Sequence, residues 1–177
     1  PSGVGKSTLL HILGGLDEPS SGQVFVDGVD VFALSDADRA HFRNQHVGFV
    51  FQFHHLLSDF TALENVMMPL LIAGVSQPAA RGPALALLDS VGLAKRVDHL
   101  PAELSGGEAQ RVAVARALIG QPKVVLADEP SGNLDAGRSV ELHALIWDLA
   151  RSRGQTFVIA THDAELSKRA DRVIRMD

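Results

Sequence analysis

Cysteine is absent from this 177-residue chain, and tryptophan occurs once. Without cysteine there is no disulfide, no thiolate metal site and no cysteine nucleophile; the composition fits a reducing compartment without requiring one. Long apolar runs are missing too. The longest, 66–75, contains Pro69 and Gly74 and falls far short of the ~20 residues a membrane-spanning helix needs. Any role at a membrane is therefore expected to come through a partner. Basic charge is in deficit: 16 Lys and Arg stand against 21 Asp and Glu, a net charge of −5, which argues against broad nucleic-acid binding. No internal repeat or low-complexity segment is found. The hydrophobic fraction of 46% and charged fraction of 21% are those of an ordinary globular protein, long enough for one sizeable core with a subdomain.

Chemistry is present from the first residues. Pro1-Ser2-Gly3-Val4-Gly5-Lys6-Ser7-Thr8 fit the phosphate-binding pattern G-x-x-x-x-G-K-[ST], with the opening glycine falling just before Pro1. In such a loop backbone N–H groups cradle phosphates, Lys6 reaches the β- and γ-phosphates, and the Ser7 hydroxyl ligates Mg²⁺. A loop of this kind follows a β-strand, and none precedes this one, so the sequence is expected to be a piece of a longer chain. A helix over 6–13 should point its N-terminus at the phosphates and end at Gly14-Gly15.

Downstream, Asp27-Gly28 between 23–26 and 29–32 reads as a hairpin, 36–44 as a polar helix and 46–51 as a buried strand. Thr61 with Glu64 makes a capping box for a helix over 61–73. A second helix should run to Val91-Gly92, with Gly82-Pro83 delaying or kinking its start. Leu104-Ser105-Gly106-Gly107-Glu108 opens a helix through Leu118. The apolar run 123–127 ends in Asp128-Glu129 and reads as a buried parallel strand. Leu142, Leu145, Ile146 and Leu149 form a core-facing helical stripe; 155–161 is another buried strand, ending at His162-Asp163. A short helix and a last strand over 172–176 close the chain. Strands and helices thus alternate around a helical block, an α/β pattern with ligands expected at the carboxyl ends of parallel strands.

Asp128, at the end of an apolar strand, is the second element a nucleotide hydrolase needs, a carboxylate for Mg²⁺. The adjacent Glu129 is the natural group to polarise water. Ser105, Gly106 and Gly107 at a helix N-terminus form a second anion site. With these motifs in this order, the chain resembles the nucleotide-binding subunits of ABC transporters nearly end to end. Gln52 matches the Q-loop glutamine, Leu104 to Glu108 the family signature, Asp128-Glu129 the Walker-B pair, Ser131 to Asp135 the D-loop, and His162 the switch histidine. The resemblance implies a P-loop (RecA-like) core with a mostly parallel sheet and a helical subdomain. The first part of the core would occupy 1–52, the helical subdomain 53–118 and the second part of the core 119–177. It implies ATP and Mg²⁺ as ligands. Glu129 and His162 would be catalytic, with His162 holding the γ-phosphate. Ser2 to Thr8, Gln52, Ser105 to Glu108 and Asp135 would line the nucleotide; Ser7, Gln52 and Asp128 would hold the metal. It also implies a homodimer in which each subunit lends its signature to the other's ATP.

The run from Phe51-Gln52-Phe53-His54-His55-Leu56-Leu57 through Asn65-Val66 resembles one subfamily, the ATPases of bacterial lipoprotein-releasing systems. That likeness implies a peripheral protein on the cytoplasmic face of the inner membrane, bound to two integral membrane subunits. Its ATPase cycle would drive lipoproteins toward the outer membrane. A macrolide-type efflux ATPase shares every hydrolysis motif, and a cell-division ABC regulatory module is a further alternative. The 52 residues between Gln52 and Ser105 are too few for the long coiled-coil arm of a DNA-repair ABC ATPase.

Overall fold

The structure is a computed structural model, and it describes residues 4–176. In chain order it contains helix α1 (Lys6–Leu13), strands β1 (Phe25–Val26) and β2 (Val29–Asp30), helix α2 (Asp36–His46), strand β3 (Val47–Val50), and helices α3 (Ala62–Ile72), α4 (Gln77–Ser90) and α5 (Gly106–Leu118). Strand β4 (Val124–Asp128), helix α6 (Ala136–Arg153), strand β5 (Thr156–Ala160) and helix α7 (Ala164–Arg169) complete it.

Strands β3, β4 and β5 form a parallel sheet with β4 in the centre, Val47 opposite Val124 and Ala127 opposite Ile159. Side chains of a strand alternate between faces, and the packing follows that parity. Val47, Leu126 and Ala160 gather with Leu10 and Leu13 of α1 on one face. Val50, Val125 and Ala127 join the larger core built from α3 to α6 on the other, with Val66, Met67, Leu88, Val112 and Ile146 at its centre. Two glycines permit the close approach. A Cβ on Gly14 would lie 2.0 Å from the Phe49 ring, and one on Gly48 would lie 2.3 Å from the Ala117 carbonyl oxygen of α5. Beside the sheet, β1 and β2 pair antiparallel through Asp27 (φ 51°) and Gly28 (φ 79°), the two left-handed residues that a tight primed turn demands.

Four expectations need correction. Strand β5 is half-exposed rather than buried, with Thr156 and Val158 open to solvent, because among the described residues it is an edge strand of the sheet. Helix α4 begins at Gln77 and runs straight through Gly82-Pro83, with Pro78 in its first turn. Pro83 removes one intrahelical hydrogen bond, but Ala80, Ala84, Leu87 and Leu88 are all buried along one stripe, and that packing holds the turn. The strand expected over 172–176 is not formed: a strand exists only through its ladder, and among the described residues β5 pairs with β4 alone. The hairpin strands are two residues each, because residues 31–33 turn into a 3-10 helix capped by the Asp30 carboxylate.

Candidate functional site

All three parallel strands deliver a marked residue at their carboxyl ends. β3 leads into Gln52, β4 ends in Asp128-Glu129, and β5 is followed by Thr161-His162-Asp163. Glu129 leaves the strand in the left-handed region (φ 42°), and its N–H donates to the Ala160 carbonyl at 2.8 Å. That turn brings its carboxylate against the β5 exit. Oε1 lies 2.9 Å from His162 Nδ1, while Oε2 accepts from the Thr161 hydroxyl at 3.1 Å and the His162 N–H at 3.4 Å. The Glu129 side chain is only 18% exposed whereas that of His162 is 77% exposed, so the carboxylate is sheltered and the ring reaches into solvent.

Gln52 is tied to the turn after β4. Its Nε2 donates to Asn133 Oδ1 at 3.1 Å, and Asn133 Nδ2 donates back to the Gln52 carbonyl at 3.1 Å. Behind it, the buried Gln110 of α5 donates from Nε2 to the Phe51 carbonyl at 2.8 Å, fixing the strand exit. The amide oxygen of Gln52, the Ser7 hydroxyl and the Asp128 carboxylate are all hard oxygen donors. Among the described residues no group of three His, Cys, Asp or Glu could hold a metal. One carboxylate with two neutral oxygens fits Mg²⁺, which takes its remaining oxygens from phosphates and water.

Helix α1 packs against β4 and β5. Its N-cap is Gly5, at φ 90° and with no side-chain capping bond, the arrangement in which first-turn backbone groups serve an anion. Ser7 and Thr8 are exposed, while Val4 and Lys6 are half-buried. Ser2 and Gly3 lie outside the described residues.

Ser105 to Glu108 stand elsewhere. The Ser105 hydroxyl accepts from the Glu108 N–H at 3.3 Å and the Glu108 carboxylate accepts from the Ser105 N–H at 2.8 Å, a complete capping box on α5. Arg96 Nε adds a bond to the same carboxylate at 2.9 Å. The backbone N–H of Ser105, then Arg96, hold the Glu108 carboxyl down at about 2. A cavity of about 300 Å³ opens beside this box, lined by Ser105, Gly107, Arg111, Arg138 and Glu141 among others. Asp135 caps α6, its Oδ1 accepting from the Arg138 N–H at 3.0 Å. Because α5 and α1 cover opposite faces of the sheet, the signature segment does not share a face with the Gly5 turn of its own chain. The fold therefore brings Gln52, Asp128, Glu129 and His162 to one edge, with Ser105 to Glu108 on the sheet face opposite α1. Sequence reasoning missed Asn133 and Thr161 as partners of Gln52 and Glu129; their only sequence signal was position, Asn133 inside the D-loop match and Thr161 beside His162.

A parallel sheet with a glycine-capped helix on one face and an Asp-Glu pair leaving its central strand defines a P-loop nucleotide-hydrolase core. The chain belongs to the ABC transporter family, whose family model, described as ABC transporter, matches residues 1–132. It is an ABC transporter ATPase. A curated relative from Geobacter metallireducens, "Lipoprotein-releasing system ATP-binding protein LolD", is 60% identical over 175 residues, covering 99% of this chain and 78% of the relative. The protein of the same name from Bacteroides fragilis is 57% identical over 176 residues, covering 99% of this chain and 82% of its own length. Among solved structures, the ATP-binding cassette MJ0796, in a dimeric post-hydrolysis state bound to ADP and Pi, superposes with a TM-score of 0.84. It is 40% identical, over 95% of this chain and 74% of that one. Among the described residues no helix is long and apolar enough to cross a membrane.

Proposed function

We propose that this chain is the ATP-hydrolysing subunit of a lipoprotein-releasing ABC system, peripheral on the cytoplasmic face of the bacterial inner membrane. The observation that carries this reading is identity of 57–60% to ATPases of that system across 99% of the chain, a span that includes the subtype segment 51–66. The cycle would move lipoproteins toward the outer membrane.

Hydrolysis follows from the edge geometry. ATP lies against the Gly5 turn, with Lys6 and the backbone of the first turn of α1 on its phosphates. Ser7, Gln52 and Asp128 hold Mg²⁺, which when bound neutralises charge on the phosphates. Glu129 orients a water for in-line attack and accepts its proton. His162, braced on Glu129 at 2.9 Å, holds the γ-phosphate through its exposed ring. The N-terminus of α5 supplies the second anion site, and since it lies across the sheet from α1, a second copy brings it: Ser105 to Glu108 of one subunit close on the nucleotide of the other. Asp135 then sits at the seam.

The partner membrane subunits have a surface to meet. Phe53 (64% exposed) and Phe60 (40%) lie in the loop after β3, and Ile72 (69%) closes α3 beyond it. The loop is held rigid by Arg116, which donates to the His54 and His55 carbonyls at 2.8 and 2.7 Å.

The test uses the full-length protein. Glu129→Gln is expected to bind ATP but lower turnover by about a hundredfold or more; near-normal phosphate release from that variant would remove Glu129 from the mechanism. Ser105→Arg should abolish turnover, and mixing it with a P-loop Lys6→Ala chain should restore one competent site per dimer. Failure to restore activity would refute the shared site. Depletion in the cell should leave lipoproteins in the inner membrane; correct sorting with loss of drug export would select the efflux reading.

A further inference from the structure

Helix α6 places a histidine where the hydrolytic mechanism has not used one. His143 is buried, 8% exposed, yet polar groups face it at both ends of its ring. Nε2 lies 2.7 Å from the Ser131 hydroxyl, in the turn that follows Glu129. Nδ1 lies 4.0 Å from Asp163 Oδ2, next to His162. A neutral ring with its proton on Nδ1, facing the Asp163 carboxylate, accepts a hydrogen bond from the Ser131 hydroxyl at Nε2. Burial lowers the His143 pKa, Asp163 opposes that shift and Arg169 adds to it, so the neutral ring is the favoured form.

These contacts close a ring through the site. Glu129, Pro130 and Ser131 are consecutive, Ser131 meets His143, His143 faces Asp163, Asp163 follows His162, and His162 returns to the Glu129 carboxylate at 2.9 Å. Glu129 sits at φ 42°, a conformation that a non-glycine residue keeps only where its surroundings over-determine it. The Thr161 and His162 bonds fix its side chain; the two ends of His143 fix the segments on either side. α7 meets α6 at a second point, the Arg169 guanidinium lying 5.5 Å from the Trp147 ring centre.

We propose that His143 is a positioning residue for ATP hydrolysis, coupling the Ser131 turn to the His162 segment so that Glu129 and His162 keep one mutual geometry. This rests on the hydrolytic roles given to Glu129 and His162 above. His143 touches neither nucleotide nor water; it acts through Ser131 and Asp163.

The experiment measures kcat, the KM for ATP and equilibrium ATP binding for full-length His143→Phe, His143→Gln and Ser131→Ala, with Glu129→Gln alongside. His143→Phe keeps the ring's bulk and loses both polar ends; it should lower kcat about tenfold, as small displacements of a catalytic pair do, while ATP binding stays within about twofold. His143→Gln, whose amide can reach Ser131, should recover most of that loss. Ser131→Ala alters a half-buried turn residue rather than the core, and should repeat the kcat defect even where the phenylalanine variant does not fold. Turnover within twofold of the parent in Ser131→Ala, or kcat and binding falling together without rescue by glutamine, overturns the proposal. Turnover retained in Glu129→Gln would instead overturn the assignment of the catalytic pair.

Discussion

The contact between β3 and α5 offers a calculable perturbation. A Cβ built on Gly48 would meet the Ala117 carbonyl oxygen at 2.3 Å and the carbonyl carbon at 3.0 Å. Both are backbone atoms inside a helix, so no rotamer can relieve the clash, and β3 must move from α5 by about 1 Å to reach ordinary contact. Overpacking of this kind costs about 2 kcal/mol, which for a domain of this size lowers Tm by about 6 °C. The same shift opens the Gln110 to Phe51 bond, now 2.8 Å, that fixes the strand exit before Gln52, so Gly48→Ala should also reduce turnover. Gly82→Ala is the control. It sits in α4 with nothing within 4 Å of the new methyl, and should stabilise by about 0.5–1 kcal/mol through helix propensity and a less flexible unfolded chain. Thermal and urea unfolding of the two variants should thus shift in opposite directions. A Gly48→Ala protein with an unchanged Tm and full activity would show that the interface yields freely, and would refute the packing argument.

Asn65 is fully buried; the two protons of its Nδ2 are shared among the Leu57, Phe60 and Thr61 carbonyls at 2.9–3.1 Å, and its Oδ1 accepts from the Leu57 N–H. Asn65→Ala should destabilise by about 2 kcal/mol in urea unfolding, because the part-buried backbone groups of residues 57, 60 and 61 lose their partner. It should also loosen the loop after β3, seen as faster amide exchange over residues 57–60. Thr61→Ala removes the capping box of α3 and should cost about 1 kcal/mol. The Glu108 carboxyl is lowered from 4.5 to about 2 in the fold. Its contribution is present above the unfolded value and is lost as pH falls through 2, so acid unfolding of the parent should carry a Glu108 component between those limits. Glu108→Gln keeps a neutral capping side chain and should erase that component, lowering Tm at neutral pH while leaving the acid limit little changed; an unaltered acid transition would count against it. Arg116→Ala should leave ATP binding intact and weaken attachment to the membrane subunits in detergent pull-downs, since it frees the His54 and His55 carbonyls.

Local chemistry was legible in the residues themselves. A glycine before lysine and serine, an acidic pair after an apolar strand, and serine three residues ahead of glutamate each carry their geometry in their own backbone preferences. The capping boxes at Thr61 and Ser105 and the Asp27-Gly28 turn accordingly form as their sequences dictate. Gly82-Pro83 misled for the complementary reason: the local preference against helix is outweighed by Ala80, Ala84 and Leu88, whose burial depends on α3 and α5.

What tertiary structure alone decided is which of these pieces meet. Parallel pairing of β3, β4 and β5 sets Gln52, Glu129 and His162 on one edge although 109 residues lie between the first and the last. Strand parity then assigns α1 to one face of that sheet and α5 to the other, the arrangement on which the proposed sharing of the signature with a second copy rests. The pattern of Ser131, His143 and Asp163 has no sequence signal at all, since a serine in a turn, a histidine in a helix and an aspartate at a cap are each unremarkable alone. Their meeting depends on Leu142, Ile146 and Leu149 of α6 packing into the same core as Val125 and Ala127 of β4, and side-chain contacts between segments distant in sequence exist only once that core has packed.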